Sequence, residues 1–416
     1  VKILISAAEA SSDAHGAELL RSLKKIAAQS GGFGAVEAYG TGGPKLQAAG
    51  LRIVVDARDL LAMGFTEILG RLPKIFSSLK KLTREATAQK PDVIVVIDYP
   101  DFHFRLAKRL KSLGVPIVYY IPPKVWVWRK KRIRMLQEFF AKVLVILPFE
   151  EKFYARENVK VKYVGNPLVD ELPLNLTRGE ARVKLGLAPD DTVMLAMPGS
   201  RKSEINKHLE LMLDAALDTS LELANLGVLK GAEKLHVLLP IPHTSNLALI
   251  RAKMDRWEKS QKSIRHIKIH LSQSNSSECM VAADVGMIKS GTSTLEAGIL
   301  GLPHFIVYKP SFIAQFVFQK IIRYAGPVGL VNLVAGSGGQ DGPDSRKPYL
   351  IREIVCQEVN RRSLSEQAIL LLINRSLRSE MRKSLENLRA KILANQQSPS
   401  ETAAHEILEM IQCKPA

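Results

Sequence analysis

Continuous aliphatic and β-branched runs, each opening onto a short polar loop and then a helical pattern, recur along this chain. A run that is apolar at successive positions, not alternate ones, belongs to a strand buried on both faces. Strand, loop and helix in repeated order are what parallel sheets require, so the fold class is α/β. Val93–Ile97 is the clearest case, and it runs directly into Asp98-Tyr99-Pro100-Asp101. Residues 2–6, 117–121, 143–147, 192–197, 236–239, 267–270, 285–288 and 305–308 read the same way.

The chain has 416 residues, beyond the roughly 250–300 over which a single hydrophobic core keeps growing. The pattern restarts after Gly165-Asn166-Pro167, which places a junction there. The expected division is a first βαβ domain over 1–167, a second over 168–385 and a helical tail over 386–416. Ser398-Pro399-Ser400-Glu401 has the form of a capping box that starts a last helix. Two Rossmann-like domains predict ligands at the carboxyl ends of their strands, in a cleft where the two sheets face each other.

Composition narrows the class. Apolar residues make up 46% and charged residues 24% of the chain, the balance of a folded globular protein. Cys279, Cys356 and Cys413 are widely spaced and odd in number, which suits a reducing cytoplasm and argues against a zinc site. No apolar run approaches the roughly 20 residues of a membrane span, and residues 1–6 lack the longer apolar core of a secretory signal. Lys and Arg number 59 against 41 Asp and Glu, a net charge of +18, which predicts attraction to a polyanion. Nucleic acid and an anionic membrane both satisfy that charge.

Several local patterns carry chemistry. Lys289-Ser290-Gly291-Thr292-Ser293-Thr294-Leu295-Glu296 follows one strand and opens a helix, so its amides and hydroxyls suit a diphosphate, with Glu296 placed for ribose hydroxyls. The same residues also describe an ordinary capped helix. Pro198-Gly199-Ser200-Arg201 occupies another strand-to-helix turn, where Arg201 is placed to grip a phosphate with two donors. Asp98, at the carboxyl end of the buried run 93–97, is the candidate general base. Glu9 and Ser11 lie in the first strand-to-helix loop, where Asp13 or Ser12 reads as the cap of the following helix. No GxGxxG follows that strand, which counts against a dinucleotide.

Two segments read as membrane contacts. Phe65, Ile68, Leu69, Leu72, Ile75, Phe76 and Leu79 recur at helical spacing among Arg71, Lys74, Lys80 and Lys81, the pattern of a helix lying in a bilayer interface. A core helix has the same spacing, although Pro73 is awkward in one. Trp126 and Trp128 stand beside Arg129-Lys130-Lys131-Arg132, and indoles flanked by cations suit an anionic headgroup layer.

Taken in order, Glu9-Ala10-Ser11 with Asp13, Gly40-Thr41-Gly42-Gly43, Met63-Gly64, residues 92–102, Trp126-Val127-Trp128-Arg129, Leu147-Pro148-Phe149-Glu150, Pro198-Gly199-Ser200-Arg201, Ser290-Gly291-Thr292, Glu296 and Asn332-Leu333 resemble the lipid-A-disaccharide synthases. The resemblance runs to about residue 358, and it departs from the family pattern at Ala8, Ser12, Asn166, Val331 and Cys356. It implies a GT-B fold and transfer of an acylated glucosamine from its UDP ester to an acylated glucosamine 1-phosphate, with no cofactor and no metal. It implies a peripheral protein on the cytoplasmic face of a Gram-negative inner membrane, and a homodimer is compatible with it. Carried over by position, Asp98 is the base with Glu9 as its understudy. Arg201, Ser290, Gly291, Thr292, Glu296 and Asn332 are donor-side, and Ser11 and Met63 are acceptor-side. Another GT-B enzyme of UDP-sugars, such as a muropeptide glycosyltransferase or an epimerase, is the alternative, followed by a basic RNA-binding protein.

Overall fold

A computed structural model describes residues 1–60, 65–125, 132–231, 233–241, 246–273, 275–310, 326–336, 338–339, 342–343, 349–393 and 398–412, with 10, 65–72, 338–339 and 342–343 described by backbone alone. The chain divides into two compact units. The first takes in Val1–Asp170 and Asn395–Ala416, the second Glu171–Gly339 and Pro343–Ala394.

In the first unit β1 (Lys2–Ala7) leads into α1 (Ala10–Ser30), and β2 (Glu37–Gly42), α2 (Pro44–Ala48), β3 (Leu51–Asp56) and α3 (Phe65–Gln89) follow. Then come β4 (Val93–Ile97), α4 (Pro100–Leu110), β5 (Ile117–Tyr120), α5 (Arg132–Phe139), β6 (Lys142–Val145), α6 (Pro148–Arg156), β7 (Val161–Tyr163) and the short α7 (Leu168–Glu171). The strands form one sheet in the order β3-β2-β1-β4-β5-β6-β7. Every pairing is parallel. All five residues of β4 are fully buried, as a continuous apolar run demands of a central strand.

Two expectations change here. Asp13 does not cap its own helix: its carboxylate accepts the backbone N–H groups of Gly43 (2.7 Å), Lys45 (3.0 Å) and Leu46 (3.1 Å), closing the start of α2. The entry to α1 is instead held by Ser12, whose hydroxyl accepts from Glu9 N–H at 2.9 Å and donates to Glu9 O at 3.0 Å. α3 runs unbroken through Pro73, and its later half is a core helix. Leu79, Leu82 and Ala86 are fully buried and Ile75 packs beside them, because spacings of three and four residues return to one face. Ile75 is therefore partly buried on the core side of the helix, whereas Phe76, one position on, is 48% exposed.

The second unit begins with α8 (Arg178–Lys184) and continues through β8 (Thr192–Met197), α9 (Lys202–Asn225), β9 (Leu235–Pro240), α10 (Leu247–Ser260), β10 (Ile267–Ser272), α11 (Ser276–Ala282), β11 (Val285–Lys289), α12 (Thr292–Ile299) and β12 (His304–Tyr308). It ends with α13 (Leu330–Val334), β13 (Glu353–Val355), α14 (Arg361–Ile373) and α15 (Arg375–Leu393). Its parallel sheet has the order β10-β9-β8-β11-β12-β13. The expected tail starting at 386 is not a separate segment, since α15 stays with the second unit and α16 (Pro399–Gln412) returns to the first. There Ala403, Ala404, Ile407 and Leu408 join Leu19, Leu20 and Leu23 of α1 in one apolar cluster. Ser398 starts that helix as its capping pattern predicts, with its carbonyl accepting from Thr402 N–H at 2.9 Å.

Asp13→Ala leaves three backbone donors without their acceptor, and it is expected to lower stability by about 2–4 kcal/mol. Urea denaturation measures this, and a loss below about 0.5 kcal/mol means that the carboxylate does not hold α2.

Candidate active-site residues

In each sheet the strand order reverses once, between β1 and β4 in the first unit and between β8 and β11 in the second. Ligands of open parallel sheets bind outside the carboxyl ends of the strands at such a reversal. Glu9 stands just beyond β1 and Asp98 just beyond β4, and these strands pair with Ala7 opposite Ile97. The two carboxylates named from sequence therefore sit at one reversal.

Asp98 and Tyr99 both adopt left-handed backbone, with φ of 53° and 45°. Such conformations cost non-glycine residues roughly 1–3 kcal/mol each and persist only where surrounding bonds impose them. Here Asp98 N–H donates to Tyr120 O at 3.2 Å. The Asp98 carbonyl accepts from the Tyr119 hydroxyl at 3.0 Å and from His103 Nδ1 at 2.5 Å. The Tyr99 hydroxyl reaches Leu60 O at 2.8 Å. Pro100 then opens α4 at a position where its missing N–H is harmless.

Burial raises the Asp98 carboxyl above its ordinary value, against the opposing pull of the Tyr99 backbone N–H, Lys124 and His15. A more basic carboxylate removes a proton from a hydroxyl more readily. Lys124 is exposed by area, yet enough protein crowds its ammonium that desolvation lowers its pKa, opposed by Glu150 and Asp98. Glu150 itself is 2% exposed in the first turn of α6. Glu9 occupies the N-cap position of α1. It lies near enough to act on the Tyr99 hydroxyl, whose pKa is raised first by burial and then by Glu9. Ser11 is exposed in the same turn. Met63, Trp126 and Trp128 lie outside the described residues, as do the side chains of Ile68, Leu69 and Leu72.

In the second unit the turns after β8 and β11 are tied together. Lys289 Nζ donates to Glu204 Oε1 at 2.7 Å, and Glu204 Oε2 accepts from Ser200 N–H at 3.1 Å and Arg201 N–H at 3.3 Å. Burial pushes the Glu204 carboxyl upward, but the Lys289 bond and charge overcome it and the net shift is downward. Asn246 adds a bond from Nδ2 to Ser200 O at 2.6 Å. His208 donates from Nδ1 to Glu204 O at 2.8 Å and accepts Lys309 N–H at Nε2 at 3.3 Å. The Arg201, Gly291 and Thr292 positions remain exposed on this framework. Glu296 lies one turn further along α12, partly exposed.

Ser290 and Asn332 are placed differently from the other donor-side candidates. The Ser290 hydroxyl donates to Val328 O at 2.7 Å. Asn332 is fully buried; its amide nitrogen donates to Ile351 O at 2.7 Å and Glu353 Oε1 at 2.9 Å, and its oxygen accepts Ile351 N–H at 2.9 Å. Glu353 in turn accepts the N–H groups of Val328 and Gly329, each at 2.8 Å. Side chains so engaged hold the 328–329 backbone, Ser290 directly and Asn332 through Glu353. Sequence reasoning passed over His103, Tyr119, Lys124 and Glu204. Of these only Glu204 carried a local signal, an acidic residue three positions after Arg201 in the first turn of a helix.

Known proteins resemble this chain over nearly its whole length. The family model described as lipid-A-disaccharide synthetase matches residues 3–408. The lipid-A-disaccharide synthase of Koribacter versatilis is 34% identical over 420 residues, spanning 100% of both chains. That of Myxococcus xanthus is 34% identical over 99% of this chain and 97% of its own. Among solved structures, the S. aureus MnaA-UDP complex superposes with a TM-score of 0.59 at 13% identity, covering 100% of this chain and 99% of its own. Acinetobacter baumannii MurG gives 0.52 at 14% identity, covering 98% and 99%. These likenesses assign the fold to the GT-B class, two Rossmann-like units with helices closing the chain.

Lys289→Met tests the frame of the second unit. Glu204 has a lowered pKa, so its contribution to stability is full above the ordinary carboxylate value of 4.5 and disappears as pH falls through the lower folded-state value. The variant is expected to be less stable than the parent by about 1–3 kcal/mol near pH 7, with the gap narrowing on acidification. Thermal denaturation across that range reads the difference, and a gap independent of pH contradicts the pairing.

Proposed function

Because the chain belongs to the lipid-A-disaccharide synthetase family and is thus a glycosyltransferase, we propose that it joins UDP-2,3-diacylglucosamine to 2,3-diacylglucosamine 1-phosphate, giving the β(1→6) disaccharide 1-phosphate and UDP. The observation that carries the reading is the Asp98 carboxyl, raised by burial, in a left-handed turn at the strand reversal of the first unit. In this mechanism Asp98 takes the proton of the acceptor 6′-hydroxyl as that oxygen attacks the anomeric carbon. The bond to UDP breaks on the opposite face, so the centre inverts in one displacement.

The departing diphosphate carries the developing negative charge. Arg201 and the backbone at Gly291 and Thr292 are assigned to it, where preorganised donors at a helix start stabilise an anion without a metal. Glu296 is assigned to the ribose hydroxyls. Ser290 and Asn332 serve by holding the adjoining backbone. Glu9 neighbours the base and is its alternate. The epimerase, muropeptide and RNA-binding readings are not favoured by family membership.

Supplied with both acylated precursors, the purified protein is expected to yield the disaccharide by mass spectrometry. Asp98→Asn should lower kcat by about two to four orders of magnitude while UDP binding by calorimetry stays unchanged. Near-normal turnover in that variant moves the base to Glu9, and a missing disaccharide in the parent overturns the substrate assignment.

Acyl chains exposed to water cost roughly 0.8 kcal/mol per methylene, so the substrates call for a protein that works at the bilayer surface. Among the described residues no helix is long and apolar enough to cross a membrane. We assign the first half of α3 to an anionic inner-membrane surface, on its cytoplasmic face. Phe76 supports this, being 48% exposed although Ile75 beside it packs on the core. Phe76→Ser is expected to weaken sedimentation with anionic vesicles by about 3- to 10-fold, the worth of half a phenyl ring. Unchanged partition would remove α3 from the interface.

A further inference from the structure

We infer that His103 is a positioning residue for the transfer reaction, fixing Asp98 through its peptide carbonyl and thereby setting where the base is presented. The inference rests on the assignment of Asp98 as the base. His103 lies one turn into α4 and has no exposed surface. Its Nδ1 is 2.5 Å from Asp98 O, and a carbonyl oxygen only accepts, so the ring proton is on Nδ1. Burial pushes the imidazole down to about 4, which keeps the ring neutral. Nε2 therefore accepts, and the Ser6 hydroxyl donates to it at 2.9 Å. The tautomer is fixed by its two partners.

Those partners come from the two strands flanking the reversal. Ser6 is on β1, directly opposite Val96 of β4, and Asp98 follows β4. A third neighbouring strand supplies the second donor, because Tyr119 of β5 also pairs with Val96 and its hydroxyl bonds the same carbonyl at 3.0 Å. Tyr99, Phe102 and Tyr119 each meet the imidazole edge-on, with centroids 6.3, 5.5 and 6.3 Å away, and so confine its plane. The carbonyl belongs to the peptide joining Asp98 to Tyr99. Holding its direction sets ψ of Asp98 and φ of Tyr99, the adjoining torsions of the left-handed turn. The carboxylate is thus aimed from behind, and the imidazole needs no contact with substrate.

On this account position 103 requires one N–H donor toward the Asp98 carbonyl. An asparagine amide carries such a donor at nearly the same reach, and leucine fills the volume without one. In steady-state assays of the full chain with both acylated precursors, His103→Leu is expected to lower kcat by about 10- to 100-fold, the range of a small misplacement of a reacting group. KM and UDP affinity should stay within about 3-fold of the parent while His103→Asn recovers most of the parent's kcat. Tyr119→Phe removes the other donor with almost no change in volume and should lower kcat in the same way. It carries the test if the leucine variant does not fold, and an unchanged kcat in Tyr119→Phe then overturns the inference. Equal loss of kcat in the leucine and asparagine variants, in step with equal loss of thermal stability, reduces His103 to a packing residue and overturns it too. Asp98→Asn in the same assay separates the two ideas. Retained turnover there removes the base assignment, whereas lost turnover there beside normal kcat in His103→Leu removes only the positioning role.

Discussion

A parallel strand delivers its carboxyl end to the same edge as its neighbours, and at the single reversal of strand order two such ends stand side by side. Much else in this protein follows from that constraint. In the first unit the reversal brings Glu9 and Asp98 beyond paired residues Ala7 and Ile97. In the second it brings the 198–201 turn beside the 289–292 turn closely enough for Lys289 to bond Glu204 at 2.7 Å. Residues distant in sequence become neighbours without any loop having to be long.

Gathering polar groups at a buried edge raises an electrostatic problem, and the two units answer it differently. Asp98 keeps a raised pKa because burial outweighs the pull of the Tyr99 N–H, Lys124 and His15. A residual tendency to hold a proton is what a base in a hydroxyl-activating role needs. Glu204 faces the same burial but has a direct ammonium partner and backbone donors, and its pKa falls. It is therefore a fixed anion that holds the turn together. The same carboxylate chemistry is raised in one case, as suits the proposed base, and lowered into a scaffold in the other, and the difference lies in the partner.

The sequence was most legible where burial on both faces leaves an unbroken apolar run, as in β4, β8 and β11. β2 escaped notice because Glu37-Ala-Tyr-Gly-Thr-Gly has little apolar bulk. Its logic is steric: a Cβ on Gly40 would lie 2.0 Å from the Ile5 carbonyl oxygen, so the strand exists by close backbone approach to β1. Asp13 was misread for a related reason, since its partners are backbone amides thirty residues away. At the candidate site, residue type and the strand end were enough to find Asp98 and Glu9. They were not enough to find His103 or Tyr119, nor to tell that Asn332 is turned inward onto Ile351 and Glu353, because no local spacing encodes a tertiary partner.

The turns at the two reversals differ in a way that matches the work assigned to them. In the second unit they contain Gly199, with φ of 112°, and Gly291. A ligand recognised by backbone amides needs bare backbone, and glycine supplies it. The first unit has no glycine in residues 8–9 or 98–99, and Asp98 and Tyr99 take left-handed conformations that glycine would adopt with less strain. Where the side chain is itself the proposed reagent, the strain cannot be relieved by removing the side chain. It has to be countered by neighbours, and the donors converging on the Asp98 carbonyl from α4 and β5 do so. A strained backbone held at its carbonyl by an imidazole and a phenol thus suits the proposed role of a base, not an amide cradle, at the end of a central strand.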